Sequence, residues 1–126
     1  MVKEGLFYTK DHEWVKIDGD TATMGITDYA QEQLGEVVFV ELPEIGKEIA
    51  QKDELAVVES SKAASDVYSP VTGKVTEVNS NLDSSPEKIN EDCYGDGWIC
   101  TIEITDKSTT DNLMDAKQYE AYLNGL

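Results

Sequence analysis

Residues 55–69 read LAVVESSKAASDVYS, and this stretch decides which fold the chain is predicted to adopt. Its two halves, LAVVES and SDVYS, are rich in residues typical of strands, and the chain must reverse direction between them. Turns usually use Gly, Asn, Asp or Pro, but here Lys62 stands between Ser61 and Ala63. These small neighbours leave the flexible lysine open to an enzyme that would acylate its amine. Spacing alone leaves open the alternative of an ordinary solvated lysine.

Short strand-like runs also fill most of the remaining chain. They are HEWVKID, TATMGI, VVFVEL, KVTEVN and WICTIEI, separated by turn residues such as Pro43, Gly46, Pro70 and Gly73. Asp18-Gly19 predicts a tight turn between the first two runs. Strands spaced this closely, without long helices between them, predict a mainly β fold, either an antiparallel sandwich or a partly open barrel.

Three short helices are predicted from capping patterns. Asp28 is the predicted cap of a helix over residues 29–34, which Gly35 would end. Ser85-Pro86 predicts a single turn over residues 87–90. Asp115 and Gln118 predict a C-terminal helix over about 115–124, whose apolar face would pack on the sheet.

Length and charge limit the classes of function. The 126 residues fit one domain, 1–126. Ten lysines and no arginine oppose 26 acidic residues, giving a formal net charge of −16. A field of this sign repels nucleic acid and anionic lipid and attracts proteins with basic faces, unless it serves only to keep the chain dissolved. No targeting segment is visible at the N-terminus, and no apolar run approaches the roughly 18 residues of a membrane span, so a cytoplasmic location is expected.

Residues that usually carry catalysis or bind metals are scarce. His12 is the only histidine, and at the start of a strand between two acidic residues it is expected to lie on the surface. Cys93 and Cys100, the only cysteines, lack the further ligands of a zinc site, and Cys100 is expected to be a buried small hydrophobe. Phosphate-binding loops, nucleophile elbows and zinc-protease motifs are absent. The sequence therefore predicts neither an enzyme nor a metal site.

A weak internal repeat divides the chain on either side of Lys62. LGEVVFVELPEIGKEI, followed by DELAVVES, is echoed by TGKVTEVNSNLDSSPEKI, followed by DGWICTIEI. Two similar β-units in one small domain predict pseudo-two-fold symmetry, although a β-protein can also show such echoes by chance.

With a lysine at the tip of a hairpin that joins two look-alike halves, the chain resembles the lipoyl- and biotinyl-carrier family. The SPVTGKV turn after the lysine matches that family's pattern. Biotinyl carriers have methionines beside the lysine, so Ser61 and Ala63 favour the lipoyl branch. DHEWVKIDGDTATMGITDYAQEQLGEVVFVELPEIG, VVESSKAASDVYSPVTGKVTEVN and INEDCYGDGWICTIEI resemble the members of that branch that serve glycine cleavage. The chain departs from them at Ser61, where valine is usual, and at Cys100, where a larger aliphatic is usual.

The resemblance implies a flattened antiparallel barrel-sandwich hybrid, with lipoate attached to Lys62 as an amide. The arm would carry the aminomethyl group of glycine from a pyridoxal-phosphate glycine decarboxylase to a tetrahydrofolate-dependent aminomethyltransferase. Dihydrolipoyl dehydrogenase and a lipoyl ligase or transferase are the other implied partners, and a monomer fits this role. The residues expected to shape the hairpin tip for recognition are Glu59, Ser61, Ala63, Ala64 and Asp66. Glu13 would lie near the amine of the loaded arm and shield it, or would be an ordinary surface carboxylate.

Two alternative functions use the same residues differently. The arm could donate its lipoyl group to other carrier proteins in a lipoyl relay. The chain could instead be an unmodified acidic β interaction domain, which only its charge favours.

Overall fold

The computed structural model describes residues 2–126, which form a mainly β fold with short helices. The strands are β1 Phe7–Tyr8, β2 Glu13–Asp18, β3 Thr21–Ile26, β4 Val37–Glu41, β5 Glu48–Ile49, β6 Glu54–Ser60, β7 Ala64–Tyr68, β8 Thr72–Val78 and β9 Cys100–Asp106. The α-helices are α1 Asp28–Leu34, α2 Asn81–Ser84, α3 Lys88–Glu91 and α4 Ala116–Asn124, and a 3₁₀ helix covers Lys107–Asn112. No helix within residues 2–126 is long and apolar enough to cross a membrane.

The strands form two antiparallel sheets around one main hydrophobic core. The larger sheet has six strands in the order β1-β2-β3-β9-β8-β5, and the smaller has three in the order β4-β6-β7. Val15 and Ile102 from the larger sheet are buried in the same core as Val40 and Val58 from the smaller one. Alternating apolar residues in each strand produce this arrangement, because every second side chain faces the core. The predicted mainly β, antiparallel architecture is confirmed.

The predicted helix near residue 29 is present, but its cap was placed one residue too late. Thr27 is the N-cap, with an extended backbone and a hydroxyl that accepts a hydrogen bond from Ala30 N at 3.3 Å. Asp28 is the first helical residue, and its carboxylate accepts from the Gln31 side chain at 3.0 Å. Gly35 ends the helix as predicted, at a φ of 82° that favours glycine.

The later helices agree more closely with the sequence patterns. The turn expected over residues 87–90 is α3, displaced by one residue, whereas α2 was not predicted. Helix α4 begins with the predicted capping box, in which Asp115 and Gln118 bind each other's backbone N–H groups. Its Tyr119 ring is buried and stacks on Tyr8 at 4.5 Å between centroids, which fixes α4 against β1.

Asn90 connects α3 to the segment that lies under the hairpin tip. Its side-chain oxygen accepts a hydrogen bond from Val37 N at 2.8 Å. Its amide nitrogen donates to Gln31 Oε1 at 2.9 Å and to the Gly35 carbonyl oxygen at 2.8 Å. One side chain therefore fixes the end of α1 relative to the start of β4, the two elements on either side of Gly35 and Glu36.

Gly73 provides a test of how tightly β8 packs against β9. A shift in strand register adjoins this residue, and a Cβ there would overlap the Glu103 carbonyl oxygen and lie 2.8 Å from Ile102 Cγ2. Gly73→Ala is expected to lower the free energy of unfolding by about 1–3 kcal/mol, measured by urea denaturation. Gly125→Ala is the matched control, because a Cβ there would meet no atom closer than 3.5 Å. Equal unfolding midpoints for the two variants would contradict this packing.

Candidate functional site

The hairpin formed by β6 and β7 ends in a tight turn without glycine. Ser60 N donates to the Ala63 carbonyl oxygen at 2.7 Å, which closes the turn. The Ser60 hydroxyl accepts from Lys62 N at 3.3 Å and from Ala63 N at 3.1 Å. No residue of this turn has a positive φ, so the turn does not need glycine or asparagine. The serine hydroxyl stabilises it by binding backbone N–H groups. Ser60 was not singled out from the sequence, although its ability to bind backbone groups two and three residues on was the available signal.

Lys62 lies exposed at this tip. Within residues 2–126, no carboxylate lies within 4.0 Å of its ammonium nitrogen. Its aliphatic stem runs beside Gly35, where an added Cβ would lie 3.4 Å from Lys62 Cε and 3.9 Å from Nζ. Ser61 N donates to the Glu36 carbonyl oxygen at 3.2 Å and so ties the tip to the same loop. The amine is accessible, while the backbone that carries it is fixed.

The other residues expected at the tip surround Lys62. Ser61, Ala63, Ala64 and Asp66 are exposed, and Glu59 is partly buried. Glu59 and Ala64 are direct partners in the pairing of β6 with β7. The structure therefore brings these residues together, but their roles in recognition remain predictions.

A cleft of about 330 Å³ opens beside the tip. One wall comes from the hairpin and the other from the start of β2 and from α1. The lining residues are Asp11, His12, Glu13, Ile26, Tyr29, Ala30, Gln33, Leu34, Val58, Ala63, Ala64, Ser65, Asp66 and Val67. Apolar side chains make up much of this lining, so the cleft can hold an elongated, mostly apolar group.

Glu13 supplies a carboxylate that is only 2% exposed in this lining. Thr9 Oγ1 donates to its Oε1 at 2.5 Å, and Tyr68 N donates to its Oε2 at 3.2 Å. Burial raises the pKa of Glu13 to about 7, with these two hydrogen bonds opposing the rise and the charge of Asp11 adding to it. Glu13 is therefore poised to exchange a proton near neutral pH, unlike an ordinary surface carboxylate.

His12 lies in the same cleft and is partly buried, so the expectation of a surface histidine is met only in part. Its ring is partly buried against Tyr29, with 4.5 Å between centroids, and its Nδ1 lies 2.8 Å from Tyr119 Oη. Its φ of 68° turns the chain at the start of β2. Burial lowers the pKa of His12, although Asp11 opposes this, so burial favours the neutral ring. No local signal could reveal this contact, because Tyr119 is distant in the sequence.

The two cysteines do not add a reactive or metal-binding group. Both are buried, as expected for Cys100, and burial raises the pKa of Cys93 to about 11 and of Cys100 to about 12. Neither thiol will ionise readily. The part of the chain that the structure describes contains no group of three or more His, Cys, Asp or Glu side chains arranged for a metal ion.

Known proteins match the chain over nearly its full length. The family model described as glycine cleavage H-protein matches residues 6–125. A glycine cleavage system H protein of Parvibaculum lavamentivorans is 58% identical over 119 residues, which cover 94% of this chain and 95% of that protein. One from Thermoanaerobacter sp. is 56% identical over 123 residues, covering 98% of this chain and 97% of that protein.

The likeness extends to a solved structure. The crystal structure of a glycine cleavage system H protein from Mycobacterium marinum matches with a TM-score of 0.89 and 37% identity, over 99% of this chain and 100% of that one. Neither alternative function, the lipoyl relay or the unmodified interaction domain, is favoured by these matches. The chain belongs to the glycine cleavage H-protein family, whose members are non-catalytic lipoyl carriers of the glycine cleavage system.

Proposed function

We propose that Lys62 carries lipoate in amide linkage and that this arm takes the aminomethyl group of glycine from glycine decarboxylase to the aminomethyltransferase. The single observation that carries the proposal is an exposed amine, without a carboxylate partner among residues 2–126, on a hairpin tip fixed by hydrogen bonds. Family membership supplies the chemical context.

The residues around Lys62 fit the attachment of an acyl group. Amide formation joins Nζ to the lipoyl carboxyl carbon, releases the group that activates that carboxyl, and removes protons from the ammonium. An amine held in a salt bridge would resist the loss of its proton. Among the described residues, no carboxylate forms a salt bridge with Lys62. The small side chains of Ser61 and Ala63 leave room for an attaching enzyme.

The chain's own residues position and protect the arm. When bound, lipoate would supply a disulfide that opens so that one sulfur takes the aminomethyl group and the other becomes a thiol, with the electron pair released by the decarboxylation of glycine on the partner enzyme. The Ser60 hydroxyl and the Glu36 carbonyl oxygen hold the tip in place, which limits where the arm can reach. This chain contributes reach and orientation, and its partners supply the catalytic groups.

The cleft beside the tip is the proposed shelter for the loaded end of the arm. Leu34, Val58 and Val67 line it and exclude water from a group held there. Glu13 is the candidate acceptor for a hydrogen bond from the arm's amine, because it is the buried carboxylate of this lining. A positively charged amine entering the cleft would favour the ionised form of Glu13.

Partner recognition at the tip is assigned to Glu59, Ser61, Ala63, Ala64 and Asp66. The net charge of −16 favours enzymes with basic docking faces, among them dihydrolipoyl dehydrogenase and a lipoyl ligase or transferase. A monomeric state and a cytoplasmic location stay predictions.

Lys62→Arg tests the attachment site. Incubation with a lipoyl ligase, lipoate and ATP is expected to add one lipoyl mass to the wild-type protein and none to this variant, as measured by intact mass. Arginine keeps the charge, but its guanidinium does not form the amide. Lys52→Arg is the control, because Lys52 is also an exposed lysine in a turn, and it is expected to be modified like wild type. Modification that persists in Lys62→Arg would overturn the assignment.

The burial of Glu13 predicts a pH-dependent stability. Between its ordinary pKa of 4.5 and about 7, the folded protein retains a proton that the unfolded chain has released, so stability falls as the pH rises through this range. Glu13→Gln cannot ionise. Relative to this variant, the wild type is expected to lose about 2 kcal/mol of unfolding free energy between pH 5 and pH 8, measured by urea denaturation.

The control for this measurement is Glu48→Gln, which removes an exposed carboxylate from β5. Its stability is expected to follow that of the wild type across the same pH range. If Glu13→Gln also follows the wild type, Glu13 does not titrate near neutral pH in the folded protein.

A further inference from the structure

Strand β4 exposes two neighbouring apolar side chains. Val38 and Phe39 are 51% and 50% exposed. In a regular strand, successive side chains point to opposite faces, so one of these two would face the core. The pairing of β4 with β6 shifts register between Val37 and Phe39, and this bulge leaves both side chains exposed while Val37 and Val40 stay buried.

The strand register places Phe39 on the same surface as the hairpin tip. Phe39 lies opposite Glu59, which lies opposite Ala64. In the next row, Glu41 lies opposite Val57, which lies opposite Asp66. Side chains of directly opposed residues share a face of the sheet. We call this surface the outer face, defined by Val38, Phe39, Glu41, Val57, Glu59, Ala64 and Asp66.

The outer face combines an apolar centre with acidic groups. A single exposed apolar side chain is ordinary on a protein surface, but an adjacent pair beside the site of modification is not. Glu41, Glu59 and Asp66 supply the negative charges, and the neighbouring cations are Lys62 at the tip and Lys47, which lines a pocket with Glu41. An apolar patch among carboxylates is complementary to a partner whose apolar contact surface is bordered by lysine and arginine.

We propose that the outer face is the docking surface for the enzyme that acylates Lys62, with Val38 and Phe39 as its apolar anchors. This inference rests on the proposed attachment of lipoate to Lys62. An attaching enzyme must bring its active site to the end of a bare four-carbon side chain, so its contact surface includes the immediate surroundings of the tip. Enzymes that act on the lipoylated arm react with its far end, so they do not have to contact the immediate surroundings of the tip.

The position of the cleft supports a separate use for the outer face. Val58 and Val67 line the cleft, and Val58 lies opposite Val40 in the buried core, so it points away from the outer face. Ala64 and Asp66, at the β7 edge of the outer face, also line the cleft, but Val38, Phe39 and Val57 do not. Because β6 separates β4 from β7, a protein anchored on Val38 and Phe39 binds at the edge of the sheet away from the cleft.

The test measures attachment and not the activity of the loaded protein. Purified lipoyl ligase, lipoate and ATP are mixed with increasing concentrations of carrier, and the lipoylated product is quantified by intact mass. Val38→Thr and Phe39→Thr are each expected to lower kcat/KM about tenfold, mainly through KM, as expected for an interface anchor. Threonine retains a strong preference for strands, so the fold is expected to persist.

Leu126→Thr is the matched control. Leu126 is 64% exposed and follows α4, which packs against β1 in the other sheet, so it lies outside the outer face. Its kcat/KM is expected to stay within twofold of the wild type. Phe39→Leu keeps an apolar anchor and is expected to recover most of the loss. Glu41→Gln is expected to raise KM and to weaken its dependence on ionic strength.

A failure of the proposed attachment site and a failure of the proposed docking surface give different results. Lipoylation of Lys62→Arg would overturn the attachment site, and with it this inference. Wild-type kcat/KM in both Val38→Thr and Phe39→Thr would overturn the docking surface alone, as would an equal loss in Leu126→Thr. If Phe39→Thr has a lower urea midpoint, Val38→Thr and Glu41→Gln decide the result.

Discussion

The hydrogen bonds of Ser60 at the hairpin tip are the interaction on which the rest of this structure depends. One hydroxyl binds the backbone of both Lys62 and Ala63, so the chain reverses without glycine and with a lysine at its most exposed point. Glycine in the turn would widen the range of conformations of the tip. A carrier gains from a long, mobile side chain only if the base of that side chain is fixed, because its reach is then confined to one region of the surface.

The loop below the tip shows how distant residues support this arrangement. Gly35 ends α1 and lies beside the stem of Lys62, and Glu36 accepts the hydrogen bond of Ser61. Asn90 holds that loop from the other side by binding the Gly35 carbonyl and Val37 N. The tip is therefore fixed by a chain of polar contacts that begins in α3, whereas the apolar core fixes only the strands that carry it.

Sequence patterns predicted the parts of this fold that depend on interactions between residues close together in the sequence. The hairpin at 55–69, the stop at Gly35 and the capping box of α4 depend on neighbouring residues, and each is present. Thr27 and Asp28 are both good caps, and only the extended backbone at Thr27 decides between them. Glu13 accepts a hydrogen bond from Tyr68 N, and His12 Nδ1 lies beside Tyr119 Oη, so these surroundings depend on contacts between residues far apart in the sequence.

The alternation of side chains along β6 explains how one short hairpin can serve two surfaces. Val58 points into the core and toward the cleft, while Val57 and Glu59 point outward beside β4. Lys62 stands where these two faces meet, so its side chain can turn to either. A helix of the same length would spread its side chains around the full circle and would not divide them into two opposed surfaces. Along β6, the strand period of two therefore places Val58, which lines the cleft, on the opposite face from Val57 and Glu59, which face outward, and the bulge at Val38 adds exposed apolar area beside them without disturbing the core.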